Sequence, residues 1–365
     1  MLLGLAAACG FLGAGIVGLG YALSRATWRG ARSDHFDGRR FFTPGAPRLD
    51  ARFSKLLRFL ATRNPERWPR FRAEPPGPRP PASAPDGALR VTFVNHATVL
   101  IQMDGVNVLT DPIWSKRASP FAAAGPARVR PPGIRFEDLP PIHAIALSHN
   151  HYDHLDLATL ARLRRAHPAA RIVAGLGIGG FLGSEGFGGV TELDWGETAE
   201  VGGISLRAEP AQHFSGRGMF DSNGTLWCAW VIGGTGGRVY FAGDTGYGPH
   251  FAKTGEELGP FRLAILPIGA YRPAWFMGPV HEDPAQAVAA MKDLGARRAI
   301  GIHFGTFQLT DEGISRPVED LEAALAKEDP RPDFRVLAFG EGWDVPEGPE
   351  SDAGRRPREG VVPGA

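Results

Sequence analysis

A short segment in the middle of the chain holds four side chains that can bind a metal ion. In residues 148–154 these side chains are His149, His151, Asp153 and His154. A helix could not aim them at one point, because His151 would project opposite His149 and Asp153. Without a cation, such a cluster would desolvate its own members and repel when protonated. The segment is therefore predicted to be a metal-binding loop, and its imidazoles and carboxylate suit a zinc ion that keeps one position for water.

Three more candidate ligands stand at the ends of predicted strands elsewhere in the chain: His213, Asp244 and His303. Residues 148–154 likewise follow a predicted buried strand, over residues 142–147. Open α/β sheets place their sites at the carboxyl ends of strands, and Gly243 and Gly246 allow the backbone to come close. We therefore expect all seven side chains to form one site.

Alternating or continuous apolar runs between turn residues predict the elements that carry these ligands. The 49 glycines and 32 prolines indicate a loop-rich α/β protein with many turns. Asp104-Gly105 marks a hairpin, and Asp283 followed by Pro284 marks a helix start. Strands are predicted over residues 90–94, 98–103, 106–110, 142–147, 171–174, 203–208, 225–232, 238–242, 264–268 and 299–302, and helices over 157–166 and 284–294.

The first 23 residues contain no charged side chain and are long enough for one membrane span. A cleaved signal peptide is the competing interpretation, and a buried core helix is a third. Arg25, Arg29 and Arg32 follow at once, which favours a chain held on the cytoplasmic side of a membrane. We expect an anchor or signal segment over residues 1–23.

Residues 24–88 form an extension rich in arginine and proline. Within it, residues 52–60 predict a short amphipathic helix with Phe53, Leu56, Leu57 and Leu60 on one face. This helix either packs on the main domain or lies in an anionic headgroup layer. An extended linker over residues 75–85 leads to the main domain, predicted over 89–345, and residues 346–365 are predicted to be a flexible tail.

Composition restricts the classes of partner. The 365 residues carry a formal net charge of only +1, and the catalytic region has no concentrated basic run, so a nucleic-acid partner is not expected. The two cysteines, Cys9 and Cys228, do not form a disulfide framework or a thiolate site. A homodimer is left open.

The cluster resembles the signature His-x-His-x-Asp-His of the metallo-β-lactamase superfamily, over most of residues 90–345. Within that superfamily the chain looks most like the N-acyl-phosphatidylethanolamine-hydrolysing phospholipase D group. The resemblance implies a four-layer αβ/βα sandwich with two metal ions at the sheet edges. The supporting segments are residues 95–98, 110–112, 148–156, 243–247, 267–271, 275–277 and 303–307.

The resemblance also implies how the ligands divide between two zinc ions per chain. His149, His151 and His213 would hold one zinc, Asp153, His154 and His303 the other, and Asp244 would bridge them. A shared carboxylate offsets the repulsion between two neighbouring cations. The ligand types also allow iron or manganese.

The expected reaction is phospholipase-D-type cleavage of a phosphodiester in N-acyl-phosphatidylethanolamine or a related phospholipid at a membrane surface. His281 is the candidate proton donor or phosphate clamp and Asp153 the second catalytic residue, although His281 also fits a surface histidine beside a helix start. Val280 stands where the animal enzymes are expected to carry a polar amide. The residues expected to line the acyl-chain side, or else to pack in the core, are Tyr152, Tyr271, Trp275, Phe276 and Met277.

Two other functions fit the same residues. One is a superfamily hydrolase of a soluble substrate, such as a lactone or a cyclic phosphodiester, which would have little use for the apolar leader. The other is a membrane-anchored metal-binding protein without catalysis, which would have no need of all seven ligands.

Overall fold

In the computed structural model, the described residues are Ser24, 27–46 and 53–347. The predicted anchor over 1–23 and nearly all of the predicted tail over 346–365 lie outside them. Among the described residues, no helix has the length and apolar character needed to cross a membrane.

Two seven-stranded sheets face each other across the main hydrophobic core. The first has the order β14-β1-β2-β3-β4-β5-β6 and the second β13-β12-β11-β10-β9-β8-β7. The strands are β1 (Leu89–Asn95), β2 (Thr98–Met103), β3 (Val106–Thr110), β4 (Ala144–Leu147), β5 (Arg171–Gly175), β6 (Thr191–Leu193), β7 (Thr198–Val201), β8 (Ile204–Glu209), β9 (Ala229–Gly234), β10 (Gly237–Phe241), β11 (Leu263–Pro267), β12 (Ala299–Ile302), β13 (Phe334–Arg335) and β14 (Gly342–Asp344).

Helices cover the outer faces, which gives the four-layer αβ/βα arrangement that the resemblance implies. A second apolar cluster packs α2 and α3 on the first sheet, while α4, α6 and α7 contribute side chains to the core beside the second. The helices are α1 (Phe53–Thr62), α2 (Leu157–Ala166), α3 (Ile178–Ser184), α4 (His250–Leu258), α5 (Ala274–Met277), α6 (Pro284–Asp293) and α7 (Arg316–Leu325), with a 3₁₀ turn at Phe136–Asp138.

Strand direction decides where the site is built. β3, β4, β5 and β6 are parallel neighbours in the first sheet, as are β10, β11, β12 and β13 in the second. Carboxyl ends of parallel strands meet at one sheet edge. The loops after β4, β10 and β12 therefore come together.

Local signals explain most element boundaries. Asp104 and Gly105 both have positive φ in the β2–β3 hairpin turn. Asp283 and Gln286 form a reciprocal capping box at the start of α6. The strand expected from residue 225 begins only at Ala229, because the N–H groups of Leu226 and Cys228 donate to the carbonyls of Leu176 and Ser148 in loops rather than to a strand.

Helix α1 and the segment before the first sheet pack against the catalytic domain. Phe59 is buried and stacks on Phe276, with ring centroids 4.5 Å apart. Beyond the helix, Arg63 Nε donates to Asp311 Oδ1 over 3.0 Å. Along the predicted linker, Gln102 donates to the carbonyl of Pro81 over 2.9 Å. The extension is thus fixed on the domain at several points along its length.

Candidate metal centre

Four strand ends deliver the seven predicted ligands to one buried cluster. β4 leads into residues 148–154 from the first sheet. β8, β10 and β12 from the second sheet lead to His213, Asp244 and His303. Together with His96, the ligand atoms fall into two groups of four residues, each with its members within 4.8 Å of one another. The groups are His149, His151, His213 and Asp244, and His96, Asp153, His154 and His303.

Asp244 lies between the two groups. Its Oδ2 is 3.1 Å from His154 Nε2 and 3.2 Å from His303 Nε2. The same oxygen is 3.7 Å from His213 Nε2 in the other group. A carboxylate placed in this way can be shared by two cations.

In the first group, imidazole nitrogens converge. His151 Nδ1 lies 2.8 Å from His149 Nε2 and 3.3 Å from His213 Nε2. His213 Nδ1 lies 2.9 Å from the carbonyl of Val280, to which it donates, so its Nε2 lone pair faces the cluster. Val280 therefore serves this site through its main chain.

Polar side chains around the cluster fix the rings of His154 and His149. Asp111 is fully buried, and its Oδ2 lies 2.8 Å from His154 Nδ1. It also accepts the N–H and hydroxyl of Ser148 over 2.7 and 2.6 Å. Ser148 Oγ is in turn 2.9 Å from His149 Nδ1. Such partners set the ring orientation and tautomer of metal-binding histidines.

Without metal, the histidines of the two ligand groups differ in protonation. Burial, together with repulsion from neighbouring histidines, lowers the pKa of His149 well below its usual range and that of His151 to about 3. Burial opposes protonation of His303, but the carboxylates of Asp244 and Asp153 outweigh it and raise the pKa to about 9. The same balance raises the pKa of His154. The Asp153 side thus carries protons that a cation would displace.

The residues present fit a metal centre. The Nε2 atoms of His154 and His303 and the Oδ1 atom of Asp244 are buried with no hydrogen-bond partner of acceptable geometry. A buried polar atom left without a partner costs about 1–3 kcal/mol. Cations coordinated by these atoms would remove that cost, and nitrogen and carboxylate donors suit zinc.

His281 lies beside the cluster and is not a surface residue. It is buried, and its Nε2 is 3.9 Å from Asp244 Oδ2. Its ring centroid is 5.1 Å from that of His213 and 5.3 Å from that of His303. Burial holds its pKa well below the usual range, so the ring is neutral near pH 7.

A cavity of about 250 Å³ opens over the cluster. Its polar side is formed by His151, Asp153, Asp244, His281 and His303. Its apolar side includes Phe59, Phe214, Phe276 and Met277. The structure thus brings Phe276 and Met277 to the cavity, as the sequence predicts, and adds Phe59 and Phe214.

The other three predicted substrate contacts do not line this cavity. The hydroxyl of Tyr152 donates to the carbonyl of Arg217 over 3.1 Å. The hydroxyl of Tyr271 donates to Asp320 over 2.6 Å. Trp275 is 42% exposed, with the guanidinium of Arg58 4.5 Å from its ring centroid. These side chains are engaged in packing around the site.

Sequence reasoning also missed His96 and Asp111 as neighbours of the ligands. His96 follows β1, and a histidine after a strand is the signal that identified His213. Asp111 similarly follows β3. Both lie in segments that carry the resemblance, so position after a buried strand could have found them.

Residues 106–304 match the model of the beta-lactamase superfamily domain. The chain belongs to the metallo-β-lactamase superfamily. It is 41% identical over 273 residues to N-acyl-phosphatidylethanolamine-hydrolyzing phospholipase D 1 of Caenorhabditis elegans, covering 71% of this chain and 77% of that protein. It is 37% identical to the mitochondrial N-acyl-phosphatidylethanolamine-hydrolyzing phospholipase D of Saccharomyces cerevisiae, over 63% of this chain and 50% of that protein. Within the superfamily it thus resembles this phospholipase D group.

Two solved hydrolase structures share the fold. Igni18, a metallo hydrolase from Ignicoccus hospitalis, superposes with a TM-score of 0.53 at 24% identity, over 72% of this chain and all of that one. Isothiocyanate hydrolase from Delia radicum gut bacteria gives a TM-score of 0.54 at 22% identity, over 70% and 98%. Together with the sequence relatives and the His/Asp cluster, the fold makes this chain a metal-dependent hydrolase.

Proposed function

We propose that this hydrolase uses two zinc ions for phospholipase-D-type cleavage of N-acyl-phosphatidylethanolamine or a related phospholipid. The observation that carries the proposal is a seven-ligand cluster at the base of a cavity with an apolar side. A phosphodiester joined to acyl chains has both a charged and an apolar part. The proposal is also supported by the phospholipase D relatives, whose names describe this reaction.

Each group of ligands is suited to hold one ion, with Asp244 shared. Bound zinc supplies Lewis-acid stabilisation of phosphoryl oxygens and lowers the pKa of water to about 7. Asp153, the second proposed catalytic residue, would act as a ligand, since its Oδ2 is 3.4 Å from both His154 Nε2 and His303 Nε2. The chain's contribution is thus a fixed, buried set of donors.

His281 is proposed to bind the phosphoryl group or the leaving oxygen. Because its pKa is depressed by burial, the neutral ring offers one N–H as a hydrogen-bond donor rather than the proton of an imidazolium. This favours the clamp over the proton donor. Donors fixed in a water-poor site stabilise developing negative charge strongly, because no solvent needs to reorganise.

The apolar side favours a lipid over a soluble substrate. Phe59 and Phe276 stack at an interplanar angle of 12°, and Met277 and Phe214 continue the apolar surface. Acyl methylenes gain about 0.8 kcal/mol each when buried. A lactone or cyclic nucleotide would gain little from such a wall.

Helix α1 is proposed to face the membrane while it packs on the domain. Phe59 points inward, whereas Lys55, Leu57 and Arg58 are exposed. The two alternatives for this helix are thus compatible. Exposed cations attract anionic headgroups, and the exposed Leu57 can enter the interfacial layer.

The loop after His213 is proposed as a second membrane contact. Met219 and Phe220 are neighbours in sequence and are 58% and 51% exposed. The N–H of Phe220 donates to Ser24 Oγ over 2.9 Å. Ser24 directly follows the expected anchor, so this loop lies where that segment would enter a bilayer. We also propose that the protein lies on the cytoplasmic side of the membrane.

The deciding experiment is lipid-product analysis after incubation of the purified full-length protein with mixed phospholipids. Release of phosphatidate together with an N-acylethanolamine, or another amine-bearing headgroup, is the expected result. Efficient hydrolysis of water-soluble lactones or cyclic nucleotides with phospholipids left intact would overturn the proposal. Turnover of no substrate class by zinc-loaded protein would favour the non-catalytic alternative.

The membrane part has a separate test. Removal of residues 1–50 is expected to reduce activity on vesicles and to spare activity on detergent-dispersed lipid. Neutralising Arg52, Lys55 and Arg58 is expected to weaken binding to anionic vesicles by about fivefold per charge, an effect that fades at high salt. Unchanged vesicle binding by the truncated protein would refute the membrane proposal alone.

A further inference from the structure

His96 occupies a constrained position beside one half of the metal centre. It forms the turn between β1 and β2, at a break in strand register between Phe93 and Asn95. Its φ is +47°, which is uncommon for a residue other than glycine. It is 1% exposed. A strained conformation is kept only when surrounding contacts hold it.

The ring of His96 holds Asp153. Its Nε2 lies 2.9 Å from Asp153 Oδ2. The carboxylate can only accept, so the ring proton sits on Nε2 and points at Asp153. The ring also lies against His303, with centroids 4.0 Å apart. One side chain thus touches two of the three ligands proposed for the same zinc.

The main chain of His96 holds the same half of the site. Its carbonyl accepts the N–H of His303 over 2.8 Å, and its own N–H donates to Thr306 Oγ1 over 3.1 Å. His303 also has a positive φ, at +63°. The two strained residues therefore support each other where β1 of one sheet meets β12 of the other.

Among the contacts that the structure describes, none from His96 reaches the ligands of the other half. The rings that neighbour His96 belong to His154, His303 and Phe307, whereas His149, His151 and His213 are oriented by Ser148, by one another and by the carbonyl of Val280. Removal of the His96 ring should therefore disturb the two halves unequally.

We propose that His96 is a positioning residue that selectively sets the affinity for the metal held by Asp153, His154 and His303. The inference rests on the proposed two-metal centre but not on the identity of the lipid. Loss of a group that orients a metal ligand typically weakens metal binding by about 10–100-fold. The His149 side should keep its affinity.

The test measures zinc binding directly. Wild type, His96→Ala and His96→Gln are stripped of metal and titrated with Zn²⁺ in competition with a chromophoric chelator. Two dissociation constants per protein result, and anomalous diffraction at sub-saturating zinc assigns each one to a side of the centre. His35→Ala is the matched control, because it removes another buried histidine that hydrogen-bonds an aspartate, Asp194, outside the centre.

We expect His96→Ala to weaken only the Asp153-side site by about 10–100-fold. His96→Gln, whose amide N–H can replace the Nε2 donor, should recover most of that loss. The control should leave both constants unchanged. If His96→Ala does not fold, the two zinc dissociation constants of the glutamine variant still test the proposal.

Other results overturn the inference. Equal weakening of both sites would show a general structural role, and unchanged constants would show none. A glutamine variant that loses one zinc altogether would show that His96 is itself a ligand. A wild type that binds a single zinc would refute the two-metal proposal at the first titration, whereas a failure to cleave phospholipid would leave these constants untouched.

Discussion

Replacing the shared carboxylate, Asp244→Asn, should remove both metals and activity together. Its Oδ2 lies 3.1–3.9 Å from Nε2 atoms of five histidines: His149, His154, His213, His281 and His303. Neighbouring positive charges hold its pKa well below the usual range despite burial, so it is ionised. Asparagine keeps the shape and removes the charge.

The magnitude follows from Coulomb's law. Opposite unit charges about 4 Å apart attract by about 4 kcal/mol at an effective dielectric constant of about 20. A tenfold change in affinity is about 1.4 kcal/mol, so each metal should bind at least about 10³-fold more weakly, because a zinc ion carries two charges. The carboxylate also screens the two cations from each other. Without it, a metal bound at one site should weaken metal binding at the other.

The assay combines elemental analysis with turnover of the same preparation, then repeats turnover at rising zinc. Glu282→Gln is the matched control. Glu282 is fully buried, and burial raises its pKa well above the usual range, so this change also converts a buried carboxyl to an amide but removes no charge near pH 7. The control should keep its zinc.

Full metal content in Asp244→Asn with normal turnover would refute the bridging role. Loss of one zinc with the other unaffected would place Asp244 on a single ion. Equal loss of zinc in the Glu282→Gln control would show that any buried amide at this location disrupts the fold.

Three further predictions concern proton release, the clamp and the cavity wall. Because the folded pKa of His303 is raised to about 9, its contribution to apoprotein stability is complete below pH 6.5 and is lost as pH rises from about 6.5 to 9. The depressed pKa values of His149 and His151 have the opposite effect on stability, but mainly below about pH 6.5, so chelator-treated protein should unfold more easily at pH 9 than at pH 7. Zinc binding near pH 7 should release about one or more protons from the Asp153 side, as calorimetry in buffers of different ionisation enthalpy would show. His281→Ala should keep both zinc ions and lower turnover by about 10²–10³-fold, the usual loss for one oxyanion donor, and near-normal turnover on a substrate with a poor leaving group would contradict the clamp. Phe59→Ala should raise KM for lipids with long acyl chains more than for lipids with short ones. The control Leu57→Ala, at an exposed position on the same helix, should affect binding to vesicles but not KM on detergent-dispersed lipid. The same KM change for both chain lengths would show that Phe59 does not contact the acyl chain.

The ligand types and most of the strands could be predicted from local sequence, whereas the four-layer sandwich was implied only by the family resemblance. Four metal-binding side chains in residues 148–154 exclude a helix, and apolar runs before His213, Asp244 and His303 place each at a strand end. Since parallel strands share an edge, their convergence follows from local pattern and general topology. The hairpin at Asp104 and the capping box at Asp283 are likewise encoded within a few residues.

The positions of several residues relative to the cavity could not be assigned from local sequence. Tyr152, Tyr271 and Trp275 have the apolar character of cavity residues, but whether an aromatic ring lines a cavity or packs beside it depends on partners far away in sequence. Arg217, Asp320 and Arg58 are those partners here. His281 equally fits a surface position by sequence, and only packing buries it.

Which candidate ligand atoms lie next to one another, and which residues support them, was decided by the tertiary structure. Asp244 contacts both groups because the strand ends of the two facing sheets converge there, at distances set by packing of the common core. His96 reaches Asp153 across 57 residues of sequence, and Phe59 reaches the cavity from an extension that precedes the sheets. Periodicity reports the environment of a single element, whereas these contacts depend on how several elements are placed relative to one another.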